Sequence, residues 1–157
     1  MATALYPGAF KPPHKGHFNV VKNLLSGNFY GTEYAFDDYE EKGDDVLKGR
    51  GTKVDKIDKV VIFIGGGERN GIDEKQAKAI WDLYTKYLPG DVVVLTGEKN
   101  PMFAAKEYAK ANPDEQFYAV TGIRSYQDIP DLRRVTTFKS RENVKGLAMT
   151  NPSDEES

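Results

Sequence analysis

Three short runs of β-branched and aromatic residues, each bounded by turn signals and set between helical patterns, constrain this chain more than any other feature. Val60-Val61-Ile62-Phe63-Ile64 is continuous rather than alternating. A strand with no polar face is covered on both sides, as in a parallel sheet. Gly65-Gly66-Gly67 ends it. Asp73 then stands three residues before Gln76, the spacing of a capping box. Ala77, Ile80, Trp81, Tyr84 and Leu88 follow on one helical face, read as core rather than as a cofactor box. Pro89-Gly90 stops that helix. Val92-Val93-Val94-Leu95 is the second run. Asn100 then reads as an N-cap and Pro101 as the first helical residue of a helix that lasts to about Ala111. Phe117-Tyr118-Ala119-Val120 is the third run.

Upstream, Thr3-Ala4-Leu5-Tyr6 is a short strand candidate. After a turn-rich stretch, Phe18, Val21, Leu24 and Leu25 make an apolar helical face that ends at Ser26-Gly27-Asn28. Leu132 to Phe138 reads as a short helix end and a further strand. This alternation predicts an α/β domain with a parallel sheet and helices on both faces. In such sheets ligands bind beyond the carboxyl ends of the strands, where the strand order reverses.

With 157 residues, one domain over 1–150 is expected, followed by a frayed acidic tail at 151–157. Residues 29–58 interrupt the pattern with Asp37, Asp38, Glu40, Glu41, Asp44 and Asp45, then Lys48, Arg50, Lys53 and Lys56, and no sustained period. They read as a long, polar, mobile insertion holding one short helix around Tyr39 to Leu47. The absence of cysteine excludes disulfides, zinc–thiolate sites and a cysteine nucleophile. A net charge of −2 argues against a nucleic-acid coat. No apolar run approaches a membrane span and no signal peptide opens the chain, so a cytoplasmic protein with no membrane partner is expected.

The first strand leads into Gly8-Ala9-Phe10-Lys11-Pro12-Pro13-His14-Lys15-Gly16-His17. The chain has two histidines, three apart with glycine between. Random placement gives that arrangement roughly once in a thousand, well below the false-positive rate of ordinary short motifs. Histidines so spaced at the first turn of a helix project to one side. The helix N-terminus attracts phosphate through its unpaired N–H groups and its dipole, and imidazoles add hydrogen-bond donors. Gly8 and Gly16 permit close backbone approach, and Lys11 and Lys15 add positive charge. The expectation is a polyphosphate site. The competing reading is a helix cap with two incidental histidines. A metal site is a poorer rival, because no third ligand has a recognisable spacing.

This segment resembles the signature of the nucleotidyltransferase superfamily of cytidylyltransferase-like enzymes, with its His-x-Gly-His motif. With Gly67-Glu68-Arg69-Asn70-Gly71-Ile72, the chain looks most like members found in large tailed phages, which would place it in a host cytoplasm. The resemblance covers residues 3–28 and 59–138. It implies a Rossmann-like sheet of order 3-2-1-4-5. It also implies transfer of a nucleotidyl group from ATP, or from CTP as the alternative, to a phosphate-bearing small molecule, with Mg²⁺ and release of pyrophosphate. The Lys11-Pro12-x-His14-x-Gly16-His17 pattern is similar to the nicotinamide-nucleotide adenylyltransferases. Thr121-Gly122-Ile123-Arg124-Ser125-Tyr126-Gln127-Asp128 is similar to a stretch of the pantetheine-phosphate adenylyltransferases. Nicotinamide mononucleotide is therefore the first expected acceptor and phosphopantetheine the second. Relatives often form homo-oligomers.

Carried onto this chain, the resemblance implies that His14, His17, Lys11 and Arg124 act on the triphosphate. Gly8, Ala9, Phe10, Gly16 and Gly122 would bind nucleotide alongside them. Gly66 and Arg69, which follow the second strand of the sheet core, border the same crevice and are the expected acceptor site; the alternative is a flexible turn with Arg69 paired to Glu68 or Asp73. The family's C-terminal Ile-Ser-Ser-Thr-x-x-Arg loop has no counterpart here; Ser140-Arg141-Glu142 and Met149-Thr150-Asn151 are poor substitutes. That favours a non-catalytic nucleotide-binding module as the first rival. A carboxylate-adenylating enzyme on the same fold is the second.

Overall fold

A computed structural model describes residues 2–27, 30–35, 37–54, 57–97, 100–135, 138 and 142–150. The acidic tail, Ser140 and Arg141 lie outside the described residues. In chain order the elements are β1 (Ala2–Gly8), α1 (Lys15–Ser26), β2 (Tyr30–Tyr34), α2 (Tyr39–Leu47), β3 (Thr52–Lys53), β4 (Lys59–Ile64), α3 (Glu74–Thr85), β5 (Asp91–Leu95), α4 (Pro101–Ala111), β6 (Gln116–Ile123), a 3₁₀ helix (Tyr126–Asp131), α5 (Leu132–Val135) and β7 (Val144–Thr150).

One mostly parallel sheet runs in the order β3-β2-β7-β6-β1-β4-β5. β1 pairs in parallel with β4 and β6, β4 with β5, and β6 with β7. β2 is antiparallel to both β7 and β3. The sheet therefore departs from the expected order 3-2-1-4-5: it has seven strands, two of which extend it beyond β7, and the first of these, β2, runs in the reverse direction. The departure is confined to that edge. Numbered among themselves, the five mutually parallel strands run 3-2-1-4-5 from β5 to β7.

Alternate strand residues feed two apolar layers. On one face Tyr6, Val60, Ile62 and Ile64 meet Val20, Val21 and Leu24 of α1 and Ala77 and Trp81 of α3. On the other, Leu5, Val61, Phe63 and Phe117 meet Val46 of α2, Ala105 and Ala109 of α4, and Leu132 of α5. β4 shows why its sequence is continuous: Val60 through Ile64 are all at most 2% exposed, so neither face has room for a polar residue. Trp81 is fully buried core; truncating such a residue costs about 3–5 kcal/mol. Helices start where local chemistry dictates. Asp73 accepts from Gln76 N at 2.8 Å and its own N–H donates to Gln76 Oε1 at 2.9 Å. Asn100 Oδ1 accepts from Met102 N at 2.9 Å.

Two segments differ from their sequence reading. Leu132 to Phe138 contains the short helix α5 and, among its described residues, no strand; a strand forms at Val144–Thr150. Gly146 and the exposed Lys145 dilute the apolar signal there. Gly146 is needed, because a Cβ at that position would run into the Tyr34 ring. Between 29 and 58, the helix at Tyr39–Leu47 is present, but the flanks pair as strands rather than loop: Gly31 to Tyr34 lie opposite Met149 to Gly146.

Candidate functional site

A cleft of about 550 Å³ opens at the carboxyl ends of the central strands. The β1 loop (Pro7 to Lys11) forms its middle. The residues after β4 (Gly65 to Arg69) form one wall, with Pro101 and Met102 at the start of α4. The end of β6 (Val120 to Gly122) forms the other wall, with Asp131 and Arg134. β4 and β6 flank β1 on opposite sides, so this is the point where strand order reverses, the place such sheets leave open for a ligand.

The β1 loop is held tightly. A Cβ on Gly8 would lie 2.9 Å from the Phe10 ring, so glycine lets that ring fold back over the strand end. Phe10 itself sits at φ 52, a left-handed conformation that costs a side-chain-bearing residue about 1–2 kcal/mol. Its burial and edge-to-face contacts with Tyr6 (5.2 Å), His17 (4.9 Å) and Trp81 (5.3 Å) offset that cost. Lys11 is 8% exposed, and its ammonium donates to Ala9 O at 3.0 Å and Gly65 O at 2.5 Å. It straps the β1 loop to the β4 loop, beside the Gly65 N to Gly8 O bond of 2.9 Å.

His14 and His17 cap α1 together. Gly16 N donates to His14 Nδ1 at 3.0 Å, and His14 N donates to His17 Nδ1 at 3.1 Å. The rings stack at 3.7 Å with 24° between planes. The cap reading of this motif is thus present in the structure. It also defines the chemistry of the rings. A ring nitrogen that accepts carries no proton, so each neutral imidazole has its N–H on Nε2. His17 lines the cleft; His14 stacks on His17 but is not part of the lining, and the intervening Gly16 is buried.

On the β4 wall, Arg69 pairs across a two-residue turn with Ile72, through bonds of 2.9 and 3.0 Å. The turn residues Asn70 (φ 57) and Gly71 (φ 79) both have positive φ, as a type I′ turn requires. Asn-Gly is the strongest sequence signal for such a turn, although the chain reads at first as a flexible connection. Arg69 is exposed at the rim, and among the described residues its guanidinium has no ion-pair partner; Asp73 is engaged with its own helix.

The structure thus brings Gly8, Ala9, Phe10, Lys11, His17, Gly66, Arg69 and Gly122 to one cleft. His14 and Gly16 stand outside the lining, and so does Arg124. Its side chain is 66% exposed, its Nε lies 3.9 Å from Asp128, and its backbone N–H donates to the same carboxylate at 2.8 Å. Arg134 and Asp131, which the sequence does not single out, line the cleft instead. Nothing local marks them, because tertiary packing of α5 places them. Tyr6 also lines the cleft, and burial raises its phenol well above the usual tyrosine range. It is a neutral hydroxyl there and cannot serve as a base.

No known protein-family model matches the chain, and no curated protein matches it. Among the described residues no helix is long and apolar enough to cross a membrane. Nor does any group of three or more His, Asp or Glu among them stand ready to hold a metal ion. Lys11, Arg69 and Arg134 face two carboxylates, Glu68 and Asp131, so the cleft lining is cationic in a chain of net charge −2. Neutral N–H donors, a cationic rim and glycine-lined backbone suit a ligand rich in phosphate oxygens.

Proposed function

We propose that this chain is a nucleotidyltransferase of the His-x-Gly-His type. It moves an adenylyl group from ATP to a phosphate-bearing small molecule and releases pyrophosphate. One observation carries the reading: two histidines cap a helix N-terminus with their Nδ1 atoms, at the cleft where strand order reverses. A helix that needed only a cap would be served by Asp and Gln, as α3 is.

The reaction needs positioning and charge stabilisation rather than a covalent enzyme intermediate. An oxygen of the acceptor phosphate attacks the α-phosphorus of ATP in line. The new P–O bond forms as the bond to the α,β-bridging oxygen breaks, and the electron pair leaves with pyrophosphate. His17 donates from Nε2 to the triphosphate as charge builds on the leaving group, with His14 beside it. Lys11 fixes the β1 loop and places its charge under the same phosphates. Arg69 holds the acceptor phosphate on the β4 wall, over Gly66. Mg²⁺ would arrive on the triphosphate and neutralise it. Glu68 and Asp131 are the carboxylates of the cleft lining, too few for a protein-built cage but compatible with an ion held mainly by phosphates.

Nicotinamide mononucleotide is the favoured acceptor and phosphopantetheine the second. A binding module that does not turn over is the competing reading. It is favoured by Lys11, whose ammonium already serves two backbone carbonyls, and by Arg124, which stands outside the lining. The test incubates the protein with Mg²⁺, with ATP or CTP, and with nicotinamide mononucleotide, phosphopantetheine, glycerol 3-phosphate or no acceptor. Products are read by mass. A dinucleotide-type product with equimolar pyrophosphate from one pair supports the transferase. Binding of ATP with no product from any pair supports the binding module.

A further inference from the structure

Two tyrosines are buried among the described residues, and their hydroxyls differ. Tyr34 gives its O–H to the Leu132 carbonyl at 2.9 Å. Tyr6, 5% exposed, makes edge-on ring contacts with Phe10 at 5.2 Å and His17 at 6.4 Å. Among the described residues its hydroxyl has no hydrogen-bond partner. A buried hydroxyl without a partner has given up its bonds to water and gained none in return. Packing does not call for it either. The Tyr6 ring belongs to the apolar layer with Val20, Val21 and Trp81, a space that phenylalanine would fill as well. The residue is held in place, since β1 is paired on both sides and Tyr6 lies opposite Ile62 of β4. It also lines the cleft, together with Phe10 and His17. Burial raises the phenol well above its usual range, so the hydroxyl keeps its proton and is a standing donor.

We propose that Tyr6 is a ligand-binding residue, whose hydroxyl donates to a phosphoryl oxygen of the polyphosphate assigned above to His17. The hydrogen bond that the fold does not supply is made to the ligand. No covalent bond is made or broken. The proposal rests on the anion-binding reading of the cleft but not on turnover. It commits to the polyphosphate of the nucleotide rather than to the acceptor's phosphomonoester. Tyr6 shares one ring cluster with Phe10 and His17, whereas the proposed anchor of the acceptor, Arg69, stands on the β4 wall. An uncharged donor at this depth can serve a phosphate oxygen without the cost of burying a further charge.

The test joins thermal melts of the full chain to calorimetric titration with inorganic pyrophosphate and, separately, with glycerol 3-phosphate, all without divalent metal. The proteins are wild type, Tyr6→Phe and Tyr34→Phe. Tyr6→Phe removes only the hydroxyl and keeps the ring. It should melt no lower than wild type, because no bond within the fold is lost, while Tyr34→Phe should melt lower. Tyr6→Phe should bind pyrophosphate about 10- to 100-fold more weakly, the range for a hydrogen bond to a charged acceptor, with glycerol 3-phosphate binding unchanged. A merely structural hydroxyl would move the melt and leave the affinity alone. Equal pyrophosphate affinity in a wild type and a Tyr6→Phe that both bind would overturn the proposal and leave the anion-binding reading standing. So would weakening toward glycerol 3-phosphate alone. A wild type that binds no pyrophosphate would overturn that reading and the proposal with it.

Discussion

His14 and His17 each use their two ring nitrogens for different tasks. Nδ1 closes the start of α1, and Nε2–H is the donor that the proposed chemistry requires. The two tasks separate by substitution. In α3 the same capping position is held by Gln76, whose Oε1 accepts the N-cap N–H at 2.9 Å. His17→Gln should therefore keep the cap and the melting temperature while pyrophosphate release falls about 100- to 1,000-fold. His17→Ala should lose the same rate and, in addition, about 1 kcal/mol of stability. Thermal melts and rates measured side by side check both; equal stability loss in the two variants would leave the capping account without support. The motif's position was legible in the sequence because two histidines with a central glycine are rare. The tautomer was not, since it depends on which backbone N–H each ring meets. Arg134 was not legible either: an arginine four residues from a proline has no local signature, and only the packing of Leu132 brings it to the cleft.

Elements with one-sided or continuous apolar patterns were readable, and elements that depend on partners were not. β4 is buried on both faces, so its sequence is a pure Val, Ile and aromatic run, whereas β5, equally apolar, lies at the sheet edge and is only partly buried. β2 and β7 pair antiparallel at the edge of the parallel set. Glu33 and Lys145 are exposed there and lie 3.7 Å apart, which breaks the apolar run in each strand. The Asn70-Gly71 turn was readable in principle, but between a glycine run and a helix its hairpin signal was masked. It is a positioning element for Arg69. Gly71→Ala should cost about 1 kcal/mol, because a Cβ is disfavoured at φ 79. It should also raise KM for the acceptor more than it lowers kcat, whereas damage to the triphosphate site would lower kcat first. At the opposite wall, Tyr34→Phe removes the hydroxyl that holds the Leu132 carbonyl, and should cost about 1–2 kcal/mol in denaturant unfolding.

At the scale of the molecule, sheet topology set the location of the site before any side chain was considered. The class of fold, parallel strands with helices on both faces, followed from alternation alone. The two added strands did not, because 29–58 is polar and its helix and strands are stabilised by contacts with β7 and the 3₁₀ turn rather than by their own pattern. The buried tyrosines give the whole fold a pH signature. Burial raises the phenols of Tyr6 and Tyr34 well above the usual value of about 10. An unfolded chain ionises them near that value while the folded one keeps them neutral, so their contribution is complete below pH 10 and is lost as pH rises beyond it. Alkaline unfolding should begin above about pH 10, and two of the nine tyrosines should ionise only as the fold is lost, read from tyrosinate absorbance. The central claim, that the cleft at the β1 end transfers a nucleotidyl group under the control of His17, is tested most directly by pyrophosphate release. Wild type and His17→Gln would be compared with ATP, Mg²⁺ and nicotinamide mononucleotide, with circular dichroism confirming that both are folded. The account predicts release by wild type and a drop of at least about 100-fold in the folded variant. Equal release by the two proteins would contradict it.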